Sequence, residues 1–374
     1  MDRGYFKVGD KKFYSKLLAL QEGTKLNIHP TWHFNEEVFN NVDWSVPVKE
    51  SLESLYCKRA LQLRQTYDYV IVLFSGGADS TTVLQSFLKN KIFVDEVYVY
   101  WPFDAIKQGK IHSPNSNDKG GNNILSEWEF SVEPKLKYIK KYFPKTKITI
   151  GDYTSNIFKE FTDDLYHLSG HNLLAGYFMR QQIVKSAGSH LKENKKVCLV
   201  AGIDKPRLHV DEKSIYGFFL DIPCYSQRPN SIDDNRIVEL FYWTPDVPEL
   251  PIKSYQTIAN HIINHPAHMK YFKNEYNDDI HSDEIQRTIV TSLLYKDWDT
   301  NTFQVGKSTS DIYPEHDDWI HKNFGNEIFV KSWKSNLKLH LDEIDQKYFK
   351  HNSIGDRVGF VGFISPMYKI CDLN

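Results

Sequence analysis

Val70-Ile71-Val72-Leu73-Phe74-Ser75-Gly76-Gly77-Ala78-Asp79-Ser80 is the stretch on which the reading of this chain turns. Its apolar run reads as a buried strand, and the segment behind it, where Val83, Leu84, Phe87 and Leu88 recur at helical spacing, reads as a helix. Two glycines at the junction let the backbone turn tightly and come close to a ligand. The helix opens with free N–H groups and the positive end of its dipole aimed at the same point, so the junction suits an anion. Ser75 and Ser80 bring hydroxyl donors. Asp79 is out of place beside a phosphate unless a cation lies between them, and the loop alone therefore points to a metal-bound polyphosphate. A turn that only joined a strand to a helix would need neither the second glycine nor the aspartate.

Outward from this loop the pattern alternates. Leu52, Leu55, Tyr56, Ala60, Leu61 and Leu63 predict an amphipathic helix over 48–64, and strands are expected at 94–100, 147–150 and 196–201. Helices are expected at 133–143, 158–168 and 172–186, and the Gly-, Asn- and Ser-rich stretch 107–123 reads as a mobile loop. This order predicts an α/β fold, a doubly wound and mainly parallel sheet with ligand at the carboxyl ends of its strands. Residues 1–47, with Trp32, Phe34, Phe39 and Trp44 but no clean period, are expected to wrap the main domain, which is placed at 48–230. Beyond it Pro229, Pro245, Pro248 and Pro251 punctuate the chain, and helical segments at 254–264 and 282–295 predict a mainly helical C-terminal part over 231–374.

The run Ser75-Gly76-Gly77-Ala78-Asp79-Ser80 at the end of a first strand resembles the signature of the PP-loop ATP pyrophosphatases, the adenine nucleotide alpha-hydrolase-like superfamily. Asparagine synthetase, argininosuccinate synthetase, GMP synthetase, tRNA lysidine synthetase and several thiouridylases share that signature. The similarity spans roughly residues 48–230 in element order, and it is closest in pattern to the synthetase domain of asparagine synthetase. It implies cleavage of ATP between the α- and β-phosphates, with pyrophosphate released and AMP left on a substrate oxygen that an amine or ammonia then attacks. In that scheme Ser75, Gly76, Gly77 and Ser80 cradle pyrophosphate and Asp79 holds Mg²⁺. The glutaminase domain of asparagine synthetase begins with a catalytic cysteine after the initiator methionine; Asp2 stands here, so hydrolysis of glutamine is not expected.

The strand expected at 196–201 ends in Gly202-Ile203-Asp204-Lys205-Pro206-Arg207, which brings a glycine, a carboxylate and two cations to the same sheet edge. The run Gly202-Ile203-Asp204 is similar to a Gly-x-Asp-Glu segment of asparagine synthetase whose acid helps hold metal and pyrophosphate, although Lys205 replaces the glutamate. Asp204 is thereby a second candidate metal ligand, and Lys205 and Arg207 are candidates to stabilise the charge that grows on departing pyrophosphate. Asp152, after the strand at 147–150, could reach the substrate or ribose, and the aromatics at 100–103 lie where this fold usually receives adenine, though core packing is their commoner role. His167 and His171, with Asp163 and Asp164, lack a third ligand at close spacing and read as surface residues. Gly306-Lys307-Ser308 imitates the end of a Walker loop without its first glycine or a preceding strand. The run 241–246 and the group His261, His265 and His268 read by default as packing, with a role facing the substrate as the alternative.

A chain of 374 residues exceeds one typical domain, and its net charge of −2 gives no global field for nucleic acid. Lys135, Lys137, Lys140, Lys141, Lys145 and Lys147 could track a phosphate backbone, but an exposed helix face would carry them too. Cys57, Cys198, Cys224 and Cys371 form no CxxC pair and no zinc spacing, which sets aside the zinc-bearing deazaguanine synthases and the paired cysteine of thiouridylases. The opening residues lack a signal-peptide core and no apolar run is long enough for a bilayer, so a cytoplasmic protein without membrane partners is expected. The expectation is an AMP-forming ligase using ATP and Mg²⁺ on a small-molecule or nucleotide substrate. Its alternatives are modification of a nucleotide or tRNA base on the same fold and a protein that binds ATP without turning it over.

Overall fold

The computed structural model describes residues 4–101, 128–151, 190, 193–203, 205–221, 236–273, 280–298, 342–352 and 357–373. The chain begins with β1 (Tyr5–Val8), β2 (Lys11–Phe13), α1 (Lys16–Leu26), β3 (Thr31–His33) and the single turn α2 (Glu36–Phe39), whose strands form an antiparallel sheet in the order β2-β1-β3. Phe6 and Val8 alternate inward along β1 with half-exposed Tyr5 and Lys7, as a strand with one buried face requires. The segment expected to wrap the main domain is thus a small sheet with a core face of its own. Phe34 meets Phe219 edge-on at 5.0 Å and Trp44 stacks on Tyr368 at 4.4 Å, so residues from both ends of the chain share one aromatic core.

The helix α3 (Leu52–Thr66) leads into β4 (Tyr69–Leu73), α4 (Ala78–Leu88), β5 (Glu96–Tyr100), α5 (Glu133–Tyr142), β6 (Lys147–Gly151) and β7 (Val197–Ala201). The short strands β8 (Arg207–Val210) and β9 (Ser214–Phe218) follow, then β10 (Arg236–Leu240), α6 (Glu249–Asn264), α7 (Ile280–Leu294), β11 (Phe349–Asn352), β12 (Arg357–Phe360) and β13 (Tyr368–Asp372). Five strands make a wholly parallel sheet in the order β10-β7-β4-β5-β6, so the α/β class with a parallel sheet is what the chain adopts. Both faces are buried. Val70 and Val72 join Val97, Val99, Cys198 and Val200 in the main core. Tyr69 and Ile71 join Tyr98, Val197 and Leu199 in a cluster on the opposite face. Burial on both sides is why these strands read as continuous apolar runs.

Two features depart from the expected division of the chain. The parallel sheet takes its edge strand, β10, from beyond residue 230: 236–240 holds no proline, Pro245 and Pro248 follow it, and Pro251 lies in the first turn of α6. The C-terminal part carries the expected helices α6 and α7, but it is not only helical. β13 pairs with β9 to complete the antiparallel sheet β13-β9-β8, and β11 pairs with β12. The expected helices at 158–168 and 172–186 and the loop at 107–123 lie outside the described residues.

Buried ion pairs fix how these layers meet. Arg59 of α3, fully buried, places its guanidinium 2.6 Å from Glu239 of β10, and the Tyr67 hydroxyl donates to the other oxygen of that carboxylate at 2.5 Å. Lys16 and Asp221, both fully buried, pair at 2.7 Å, and the same ammonium donates to the Val361 carbonyl. Among the described residues no helix is long and apolar enough to cross a membrane. Cys57, Cys198 and Cys371 are free thiols, and burial pushes the Cys198 thiol up.

Candidate functional site at the sheet switch point

From β4 the chain builds outward through β5 and β6, then returns to the other side of β4 to place β7 and β10. The crevice between the carboxyl ends of β4 and β7 is therefore the point where successive connections diverge, the position at which open α/β sheets receive ligands. Ser75, Gly76 and Gly77 follow β4, and Gly202 and Lys205 follow β7, so the fold brings the two motifs to adjacent strand ends.

Gly76 adopts φ of +81°, a left-handed conformation that disfavours any side chain, and Gly77 is the extended N-cap from which α4 starts. Two serines brace the turn. The Ser75 N–H donates to Ser80 Oγ at 3.2 Å, the Gly77 N–H donates to Ser75 Oγ at 3.3 Å, and the Ser80 hydroxyl donates to the Gly77 carbonyl at 3.2 Å. Ser80 is buried, and its hydroxyl serves the loop's own hydrogen bonds; the donors the loop offers outward are backbone N–H groups at the start of α4. Gly202 lies against the same turn: a Cβ there would come within 3.1 Å of Asp79 C and Ser80 N, tighter than ordinary contact, so a side chain at the end of β7 would press the first turn of α4 aside by a few tenths of an ångström.

Asp79 is more enclosed than a solvent-facing loop residue. One carboxylate oxygen pairs with Lys205 Nζ at 2.8 Å; the other, Oδ1, is buried and accepts no hydrogen bond. The Tyr242 hydroxyl donates to the Asp79 carbonyl at 2.7 Å. Tyr295, at the end of α7, is buried with its hydroxyl turned towards Asp79 but closing no well-formed hydrogen bond, and the Lys205 ammonium stands 5.8 Å from the centre of its ring. Tyr56 of α3 packs on Tyr242 at 5.8 Å. Burial first and then the Asp79 charge push the Tyr295 phenol well above its ordinary value; burial, Tyr56 and Asp79 do the same to Tyr242. Neutral phenols thus surround the carboxylate.

An orphaned carboxylate oxygen beside a phosphate-type loop fits Mg²⁺, a hard cation commonly held at such sites by one or two carboxylates together with substrate phosphates. Among the described residues no group of three His, Cys, Asp or Glu is arranged to hold a metal on its own. Asp204, the second candidate ligand, lies outside the described residues, as do Asp152, the group Asp163, Asp164, His167 and His171, and Gly306-Lys307-Ser308. Arg207 opens β8, exposed and in register with Phe218, so its backbone belongs to the small antiparallel sheet. Trp101 is buried against Trp128 at 5.0 Å, a core role. His261, His265 and His268 stack at the end of α6, presenting faces to one another, with centroids 4.3 to 5.7 Å apart.

Sequence reasoning left Tyr56 and Tyr295 out of the site and gave Tyr242 a packing role by default, with a role facing the substrate as the alternative. Tyr242 carried a signal: it stands two residues past β10, and reading 236–240 as a fifth strand would have put it at the active edge. Tyr295 carried none, because its approach depends on how α7 packs. Set against protein-family models, curated proteins and solved structures, the chain matches none.

Proposed function

We propose that this protein binds ATP with Mg²⁺ at the loop 75–80 and adenylates an oxygen of its substrate as a PP-loop ATP pyrophosphatase does, ahead of attack by an amine or ammonia. One observation carries the reading most directly: a carboxylate from the first turn of α4 and an ammonium beyond the end of β7, Asp79 and Lys205, meet at the switch point beside a glycine turn, with a carboxylate oxygen left unpartnered. The α-phosphorus gains a bond to the substrate oxygen and loses its bond to the bridging oxygen, and pyrophosphate departs. Attack by the amine then displaces AMP, with a proton released.

Mg²⁺, when bound, would neutralise phosphate charge and orient the departing oxygens. The chain's own groups divide the rest. Backbone N–H groups at the start of α4 would hold the pyrophosphate end, Asp79 would hold the cation, and Lys205, now paired with that carboxylate, would stabilise the charge that grows on the leaving group. Tyr242 and Gly202 keep the Asp79 backbone in place. The test is product analysis of ATP by mass spectrometry with a panel of carboxylates, carbonyl-bearing bases and amines: AMP and pyrophosphate are expected. ADP as the main product would refute the assignment, and ATP binding without turnover across the panel would leave a nucleotide-binding protein.

A further inference from the structure

The exposed face of α5 and the chain around it combine two features that a merely solvated helix does not need together. Leu136 and Ile139 turn into the core, which leaves Lys137, Tyr138, Lys140, Lys141 and Tyr142 outward, with Lys145 exposed beyond the helix end. Residues 128–151 contain six lysines against two glutamates; Glu133 is paired with Lys137 at 3.0 Å, and Lys147, in β6, is paired with Glu96 at 3.1 Å, which leaves Lys135, Lys140, Lys141 and Lys145 as the basic groups around the helix. Interleaved with this charge, Tyr138 and Tyr142 are 42% and 55% exposed with ring centres 4.7 Å apart. Lys135 and Lys141 place ammonium groups 5.7 and 4.9 Å from the two ring centres. Phe130, in the turn before α5, is 49% exposed.

We propose that this face binds single-stranded nucleic acid, with backbone phosphates on the lysines and bases stacked on Tyr138 and Tyr142. A basic track with exposed rings is the arrangement by which proteins hold single strands without reading sequence, since every base offers a face to stack. An acidic peptide would engage the lysines and gain little from the rings. The face also leads to the candidate site: the Ser131 hydroxyl, just before α5, donates to the Gly76 carbonyl at 2.5 Å, so a strand lying along the helix has one end at the phosphate loop. Binding at α5 is separable from the adenylation reading and would add a polymeric substrate to it.

Fluorescence anisotropy of fluorescein-labelled oligouridine and oligothymidine 12-mers on the full chain tests this. Saturable binding is expected, with log K falling against log salt at a slope of about −2 to −3, as about 0.7 per neutralised phosphate gives for three or four lysines on a single strand. Replacing Lys137, Lys140 and Lys141 together by glutamate should weaken binding about 100-fold or more and flatten the slope. Tyr138→Ala with Tyr142→Ala should weaken it about tenfold or more at unchanged slope, while the Phe pair, which keeps the rings, should bind as before. Circular dichroism and the ATP-dependent melting shift should not move in any variant, which keeps this outcome apart from failure of the adenylation reading. Absence of binding, tighter binding of duplex, or insensitivity to the tyrosine-to-alanine pair would overturn the proposal.

Discussion

Gly202 and Lys205 separate the structural from the chemical demands of the site. A methyl group at 202 would press on backbone atoms of Asp79 and Ser80 at 3.1 Å, and backbone cannot swing aside as a flexible side chain can. Gly202→Ala should therefore shift the start of α4, abolish the ATP-dependent rise in melting temperature and cost about 1–3 kcal/mol of stability, read by thermal and urea unfolding. Lys205→Ala removes a cation that sits 27% exposed, so its pair with Asp79 is partly screened and stability should change little. Its loss should lower turnover on the order of 100-fold with ATP affinity nearly kept, because the charge it faces grows in the transition state. Weak ATP binding with normal turnover at saturation would instead make Lys205 a ground-state phosphate ligand. Asp79→Asn keeps the shape of the side chain and should erase the Mg²⁺-dependent part of the ATP shift; full retention of that part would remove Asp79 from the metal's ligands.

At the scale of elements, α3 is fastened to the sheet edge by Arg59 and Glu239, both buried. Arg59→Met leaves the Glu239 carboxylate buried without its cation, and urea unfolding should show a loss of about 3–5 kcal/mol. Loss of less than 1 kcal/mol would mean that the carboxylate finds water or a proton without disturbing the fold. The end of α6 bears on pH. Burial, then His265 and His268, hold the His261 imidazole below its ordinary value of 6.5, although a helix C-terminus by itself favours the cation. The unfolded chain then binds a proton more readily than the folded one. His261 contributes stability that is whole above the ordinary histidine range and lost as pH falls through the lowered value. The melting temperature should drop between about pH 7 and 5, and His261→Gln should flatten that drop; an unchanged pH profile would place its origin elsewhere.

The whole molecule is closed by residues from its two ends. Phe34, Phe39 and Trp44 pack on Phe219, Trp243, Tyr255 and Tyr368, and the Lys16–Asp221 pair lies within the same junction. Deleting residues 1–47 would expose that aromatic surface and leave Asp221 buried without its cation, so the shortened chain should lose its near-ultraviolet circular dichroism and aggregate on size exclusion. A monomer with a cooperative melt would show instead that the parallel sheet stands without it. The amino-acid order by itself determined the parallel-sheet class, the helix before the loop, the strand-loop-helix at 69–88 and the tight glycine turn within it, because apolar periodicity and glycine conformation act over a few neighbouring residues. It led to a division at residue 230 because proline marks connections and says nothing of which strand later joins a sheet. Only the tertiary structure decided that Asp79 meets Lys205, 126 residues away, and Tyr242, 163 residues away, and that Tyr295 closes over them. Those contacts are fixed by how β10 and α7 pack on the sheet, a property of the assembled core that leaves no periodicity in the chain.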